Sequence, residues 1–358
     1  MAGRPLGGAA SVAIVTTTRP AARLEDVARL AGVSPKTVSN VVNDYVHVRP
    51  ATRERVQHAI QMLGYRPNVV ARHLKSGRSG VIALALPELD APYFAELAHH
   101  VVQAAMERGW TVLVDETGQT RDERLRAREQ SAAGGIREHL IDGVILSPLA
   151  LDEADLVRYG SVPLVLLGER LGSRAADHVA IDNAAAAAEA TRHLLEGGRR
   201  RIAVVGSQPP PFGHTARLRL LGYRDALAHA GVPYDPSLVV PAADWRLPAG
   251  RAAVAPLLAM PNPPDAVFAL NDLLGLGVLR GLADAGLRVP EDVAVVGFDD
   301  VEQARYSVPS LTTVAPDKES VARSAVEQLA RRLDAGDAWT PQEITVGATL
   351  VVRESSGA

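Results

Sequence analysis

Residues 24–43 read LEDVARLAGVSPKTVSNVVN, and this stretch decides how the chain is organised. Leu24, Val27, Ala28 and Ala31 fall at i, i+3, i+4 and i+7, one apolar face of a helix. Gly32 follows where a helix commonly ends in the left-handed conformation. Ser34 then offers a hydroxyl as N-cap, and Pro35 stands at the first helical position, where a missing N–H costs nothing. Val38, Val41 and Val42 give the second helix an inward side and leave Lys36, Thr37, Ser39 and Asn40 outside. Two short helices around a Gly-containing turn form a helix-turn-helix, whose second helix places its N-terminal residues at base edges in the major groove. A third helix follows Pro50, with Val56, Ile60 and Leu63 inward and Gly64 at its end. Taken alone, such a trio also fits a small helical bundle.

The distribution of charge favours the DNA reading. The 358 residues carry 38 Lys and Arg against 41 Asp and Glu. Residues 1–80 hold 12 and 4 of these, which leaves 26 and 37 for the rest. A basic head therefore sits on an acidic body. The head can neutralise phosphates and release counterions, while the body resists nonspecific adhesion to the same polymer. There is no cysteine, hence no disulfide framework and no thiolate metal site. The serine-hydrolase, P-loop, dinucleotide and zinc-protease signatures are missing, and His99-His100 has the wrong spacing for a metal. No catalytic residue, metal or cofactor is expected. No apolar run reaches the roughly 18 residues of a membrane span, so a cytoplasmic, nucleoid-associated location is expected. Arg4 followed by the apolar stretch 9–15 has the outline of a short export signal, but that stretch is short and weak, with Gly, Ala and Ser prominent around it. Residues 1–22 read instead as a disordered leader.

Beyond residue 80 the pattern changes. Short buried strands are predicted at 81–86, 111–114, 143–147, 162–167, 201–205, 266–269 and 293–297. Helical stretches such as 93–108, 184–196, 216–230 and 272–285 alternate with them. Alternation of this kind predicts parallel sheets with crossover helices on both faces, and ligands then bind at the carboxyl ends of the strands. Polar residues stand at such ends. Asn271-Asp272 follows one strand and GFDD (297–300) follows the next. Asp299 can accept hydrogen bonds from a vicinal diol, and Asn271 can both donate and accept. Asp272 reads equally well as a helix cap. Tyr93 and Phe94, after the first strand, are expected to form the opposite wall, with polar contacts from Asp90 and Ser147.

The segments DVARLAGVS (26–34), TVSNVVN (37–43), TRERV (52–56), GYRPN (64–68) and ARHL (71–74) together resemble the lactose-repressor (LacI/GalR) family of bacterial transcription regulators. The likeness runs from Leu24 over nearly the whole remaining chain. It implies a helix-turn-helix domain at 23–67, a hinge helix and linker at 68–79, a body of periplasmic-binding-protein type at 80–354, and a tail at 355–358. The body would have one lobe at 80–181 and 314–342 and a second at 182–313 and 343–354, with crossings near Ile181, Val314 and Glu343. Pro35, Lys36 and Asn40 match base-reading positions, and Ser34, Thr37 and Ser39 belong to the same DNA-contacting segment, the last two mainly at phosphates. Asn68, Ala71, Arg72 and Leu74 match the hinge helix that folds on DNA. Leu74 would be the wedge driven into the minor groove, where unstacking a base step costs a few kcal/mol and is offset by wider contact.

In the motif RLRLLGY (217–223), Arg219 matches the position whose guanidinium binds ligand, a fork suited to adjacent hydroxyls or a carboxylate. Trp245 matches an aromatic that lines the pocket. Pro316 and Lys318 stand where some members carry polar or aromatic pocket residues; Lys318 points to an anionic effector unless it is simply solvated. Two departures concern caps: Arg23 and Arg49 replace the usual hydroxyl residues, each at about 1 kcal/mol, while adding charge near DNA. The reading is a homodimeric, effector-controlled regulator, a repressor by preference. Its partners are near-palindromic double-stranded operator DNA and a sugar or sugar derivative. A sugar receptor for transport and a doubly wound sugar-processing enzyme are the alternatives.

Overall fold

The computed structural model describes residues 22–42, 45, 47–65, 78–118, 123–134, 140–151, 154–156, 162–168, 176–208 and 213–357. They belong to two compact units, divided between Gly77 and Arg78.

The first unit holds α1 (Leu24–Ala31), α2 (Pro35–Val42) and α3 (Pro50–Leu63). Val27, Ala28, Ala31, Val38, Val41, Val56 and Ala59 form its core, close to the face read from the spacing. Gly32 ends α1 at φ 63°, a left-handed conformation that a Cβ would penalise. Ser34 caps α2, its Oγ accepting from the Thr37 backbone N–H at 3.1 Å. Arg23 and Arg49 supply no side-chain cap. At α1 the deficit is partly met by Asp26, whose carboxylate accepts from the Arg23 N–H at 3.0 Å. At α3 it is met by Pro50, which has no N–H to satisfy. Arg53 donates to the Tyr45 carbonyl at 2.9 Å and fastens the loop after α2.

The second unit contains two six-stranded sheets. The first is ordered β2-β1-β3-β4-β5-β11 and is parallel throughout. Its strands are β1 (Val81–Leu86), β2 (Thr111–Glu116), β3 (Gly143–Leu146), β4 (Leu164–Leu167), β5 (Asp177–Ile181) and β11 (Glu343–Val346). The second is ordered β7-β6-β8-β9-β10-β12. It comprises β6 (Ile202–Ser207), β7 (Val239–Pro241), β8 (Ala266–Ala269), β9 (Ala294–Phe298), β10 (Thr312–Pro316) and β12 (Ala348–Val351). Among the described strands, only the β10–β12 pair is antiparallel. The inner strands are buried because helices cover both faces, as a parallel sheet requires, whereas the edge strand β2 is largely exposed. On the first sheet, α4 (Pro92–Glu107) and α11 (Lys318–Ala335) cover one side and α5 (Glu123–Gly134) lies on the other. On the second, α6 (Asn183–Glu196) and α7 (His214–His229) face α8 (Leu247–Leu258) and α9 (Asp272–Asp284) across the strands. A short α10 (Glu302–Tyr306) follows β9.

The first crossing between lobes falls at Asp182, close to the expected Ile181. The other two are displaced. β10 continues in the second sheet to Pro316, so the chain crosses at Asp317 and not at Val314. β11 pairs with β5 from Glu343 to Val346, so 343–346 belongs to the first lobe and the crossing moves to Gly347. Asp177 explains this pairing. Fully buried on β5, it accepts from the Gln342 N–H at 2.8 Å, Trp339 Nε1 at 2.8 Å and Arg331 at 2.6 Å, which seats the returning chain beside β5.

Candidate functional site

In both sheets the strand order reverses beside the first strand of the lobe, between β1 and β3 and between β6 and β8. The loops leaving those carboxyl ends diverge there and open a crevice. The two crevices face each other across a cavity of about 190 Å³. The first lobe contributes Glu88, Tyr93, Phe94, Ser147 and Leu149; the second contributes Gln208, Thr215, Arg219, Trp245, Asn271 and Asp299. Seven of the eight expected effector residues thus line one cavity, from its two opposite sides. Asp90 does not: its carboxylate sits at the rim, 2.7 Å from Arg246.

Arg219, on α7, is buried and largely committed. Its Nε donates to Asn183 Oδ1 at 2.7 Å and an Nη donates to the Leu270 carbonyl. The guanidinium stacks 3.4 Å from the Phe298 ring centroid, with the Trp245 ring at 5.4 Å. The remaining nitrogen faces Asp299 Oδ1 at 3.8 Å. Such clamping presents a rigid fork and a carboxylate side by side, an arrangement suited to gripping adjacent hydroxyls. Trp245 is aimed by its Nε1–H, which donates to the Gly206 carbonyl at 2.8 Å at the end of β6.

Asn271 has a second task. It is the N-cap of α9, accepting from the Leu274 N–H at 2.9 Å, and its amide donates to the Trp245 carbonyl at 3.1 Å. One N–H and one lone pair remain for a ligand. Asp272, for which a cap was one of two readings, is fully buried behind the wall. It accepts from Thr313 Oγ1 at 2.5 Å and the Val301 N–H at 2.9 Å. Burial pushes its pKa well above the carboxylate range, and the nearby Asp299 charge pushes the same way.

Asp299 and Asp300 stand at φ 116° and 47°, two consecutive non-glycine residues with positive φ. Asp and Asn tolerate the left-handed region better than other residues, but 116° lies outside it. The Asp299 N–H donates to the Val314 carbonyl at 2.8 Å. Burial raises the Asp300 carboxyl, but Arg353 and Arg305 outweigh it and hold the group low, at 2.5 and 2.9 Å.

Arg246 was not singled out from the sequence. It precedes α8 in the second lobe and reaches Glu88 Oε2 at 2.5 Å as well as Asp90, both in the first. Burial raises the Glu88 pKa against the pull of Arg246, whereas the Arg246 hydrogen bond lowers that of Asp90. A clue lay in its place next to Trp245, but its partners are some 156 residues away. Lys318 is neither solvated nor a wall residue: it is buried, with Glu96 at 2.6 Å.

In the first unit, Ser34, Pro35 and Lys36 are exposed at the start of α2, with Thr37, Ser39 and Asn40 half-buried beside them. Asn68, Ala71, Arg72 and Leu74 lie outside the described residues. No helix among the described residues is long and apolar enough to cross a membrane.

Residues 23–68 match the model described as bacterial regulatory proteins, lacI family, and residues 191–356 match a periplasmic binding protein-like domain. The HTH-type transcriptional regulator CelR of Thermobifida fusca is 38% identical over 341 residues, 93% of this chain and 97% of that protein. The chain belongs to the lacI family. Its relatives include the HTH-type transcriptional repressor PurR of Haemophilus influenzae, 32% identical over 93% of this chain and 98% of that one. Among solved structures, a LacI-family regulator of Sanguibacter keddieii shares 45% identity with a TM-score of 0.72, covering 79% of this chain and all of that one. The lac repressor dimer bound to operator is 27% identical with a TM-score of 0.79, covering 94% and 99%. The CelR–cellobiose complex gives 38% and 0.69, covering 94% and 100%. The protein is a sequence-specific DNA-binding transcription regulator, as these lacI-family relatives are.

Proposed function

We propose that this lacI-family regulator is a homodimeric repressor, working in the cytoplasm, that releases or holds a near-palindromic operator according to whether a sugar occupies the cavity between its lobes. The observation that carries the sugar reading is the composition of that cavity. Trp245, Tyr93 and Phe94 offer apolar faces to the C–H side of a pyranose, while Arg219, Asp299, Gln208 and Ser147 offer hydrogen-bonding groups to its hydroxyls. The cellobiose complex of CelR, at 38% identity, supports the same class of ligand. The lac repressor dimer on its operator supports the assembly and the DNA target. Ser34, Pro35, Lys36, Thr37, Ser39 and Asn40 would meet the operator from α2, with Asn68, Ala71, Arg72 and Leu74 at its centre.

A thermal-shift titration with cellobiose, other neutral disaccharides, phosphorylated sugars and purines tests the effector. A bound ligand stabilises the native state by about 2.7 kcal/mol at one hundred times its Kd. The expected result is a rise in melting temperature with a neutral sugar, abolished in Asp299→Ala without loss of operator binding. A rise with purines alone would overturn the sugar reading.

A further inference from the structure

We infer that Lys318 is a positioning residue for the effector site, a cation from the first lobe that holds the strained Asp299–Asp300 turn of the second. This rests on the reading that Asp299 contacts the effector.

Lys318 begins α11, whose Val321, Ala322, Ala325 and Leu329 are packed into the core of the first sheet. Its backbone therefore moves with the first lobe. Its ammonium has three hydrogens and three acceptors: the Asp299 carbonyl at 2.6 Å, the Asp300 carbonyl at 3.1 Å and Glu96 Oε2 at 2.6 Å. Glu96 belongs to α4, also of the first lobe. The two carbonyls belong to the residues at φ 116° and 47° in the second. A strained conformation persists only where its surroundings over-determine it. Here the second lobe holds the turn through the Asp299 N–H on Val314, the Asp300 N–H on Thr313 Oγ1, the Val301 N–H on Asp272, and Arg353 and Arg305 on the Asp300 carboxylate. The carbonyl side is held from across the lobe boundary. A cation next to two backbone carbonyls also favours the peptide orientation that aims both oxygens at it. That orientation turns the Asp299 carboxylate toward Arg219 and the cavity wall. When the lobes separate, the ammonium leaves and the turn loses what holds its carbonyl side. Asp299 is then correctly aimed only while the lobes are together.

The test uses the full-length protein and two readouts. Without ligand, amide hydrogen exchange is followed at Asp299, Asp300 and Val301, with Val204 and Phe268 in β6 and β8 as internal references. Lys318→Met should speed exchange at the turn at least tenfold and leave the reference strands unchanged. Unchanged exchange at the turn, or acceleration everywhere alike, overturns the assignment. Calorimetric titration with cellobiose supplies the second readout, as a double-mutant cycle. Lys318→Met should weaken binding at least tenfold in the wild-type background and less than twofold in Asp299→Asn, because it acts through Asp299. Fully additive losses overturn it. If Lys318→Met does not fold, Lys318→Gln, which is polar but too short to span both carbonyls, takes its place in both experiments. A wild-type protein that ignores cellobiose refutes the cellobiose reading alone, and the exchange measurement still decides the role of Lys318.

Discussion

Asp272 makes the clearest residue-scale case that position outweighs residue type. Sequence offers two adjacent polar residues after β8, and either can cap the helix that follows. The structure gives the cap to Asn271 and buries Asp272 where water does not reach. Two donors, Thr313 and the Val301 N–H, favour its charged form, but burial and the neighbouring Asp299 win and raise its pKa. The folded protein thus keeps a proton that the unfolded chain, at an ordinary 3.8, has released. Its stabilising contribution is full below that value. It declines by up to about 1.4 kcal/mol per pH unit above it, until the folded state ionises too. Asp272→Asn, which cannot ionise, should flatten this part of the pH profile. Urea unfolding midpoints of both proteins between pH 4 and pH 8 check it, and parallel profiles would count against a retained proton. The depressed carboxyls, such as Asp292 at about 2, act in the opposite direction and below this window.

At the scale of elements, close helix packing fixes the second lobe. A Cβ on Gly222 of α7 would stand 2.0 Å from the Ala184 carbonyl of α6. Gly222→Ala must therefore push the two helices apart, at about 1–3 kcal/mol or more. Chemical denaturation of the variant should show this loss, whereas a change below about 0.5 kcal/mol would mean that the pair yields freely. Elements of this length were largely legible. The 3.6-residue periodicity of α1 and α2 and the apolar runs of β1, β3, β6 and β8 are local signals, and Arg219, Trp245 and Asp299 stand out because they sit at strand ends or within a recognisable motif. The strands β5, β7, β10, β11 and β12 were not read; β11 and β12, separated by Gly347 alone, carry no local sign of which sheet each joins. Arg246 and Lys318 escaped for a related reason. A charged residue reads as solvated until the fold delivers its partner: Arg246 meets Glu88 and Asp90 of the other lobe, and Lys318 meets Glu96, far back along the chain, together with two backbone carbonyls of the other lobe.

On the scale of the whole molecule, Arg246 on Glu88 and Asp90 forms an ionic clasp across the cavity mouth. The Arg246–Glu88 pair is partly exposed, so its net worth is modest, about 1 kcal/mol or less, and the solvated Asp90 adds little. Even that is roughly a fivefold shift in an open–closed equilibrium. Arg246→Gln should give a larger radius of gyration in small-angle X-ray scattering without effector, and high salt should move the wild type the same way. Identical scattering at both salt concentrations would show that the clasp does not hold the lobes. The three crossings carry a consequence for the order in which the molecule is made. Each sheet is closed at one edge by a strand from residues 343–351, long after its other strands. A chain emerging from the ribosome can complete the helix-turn-helix unit within its first 80 residues. Neither lobe is finished until the last strands are out. For most of its synthesis each molecule therefore carries a helix-turn-helix ahead of an unclosed effector domain, two sheets whose edges wait for the same short segment.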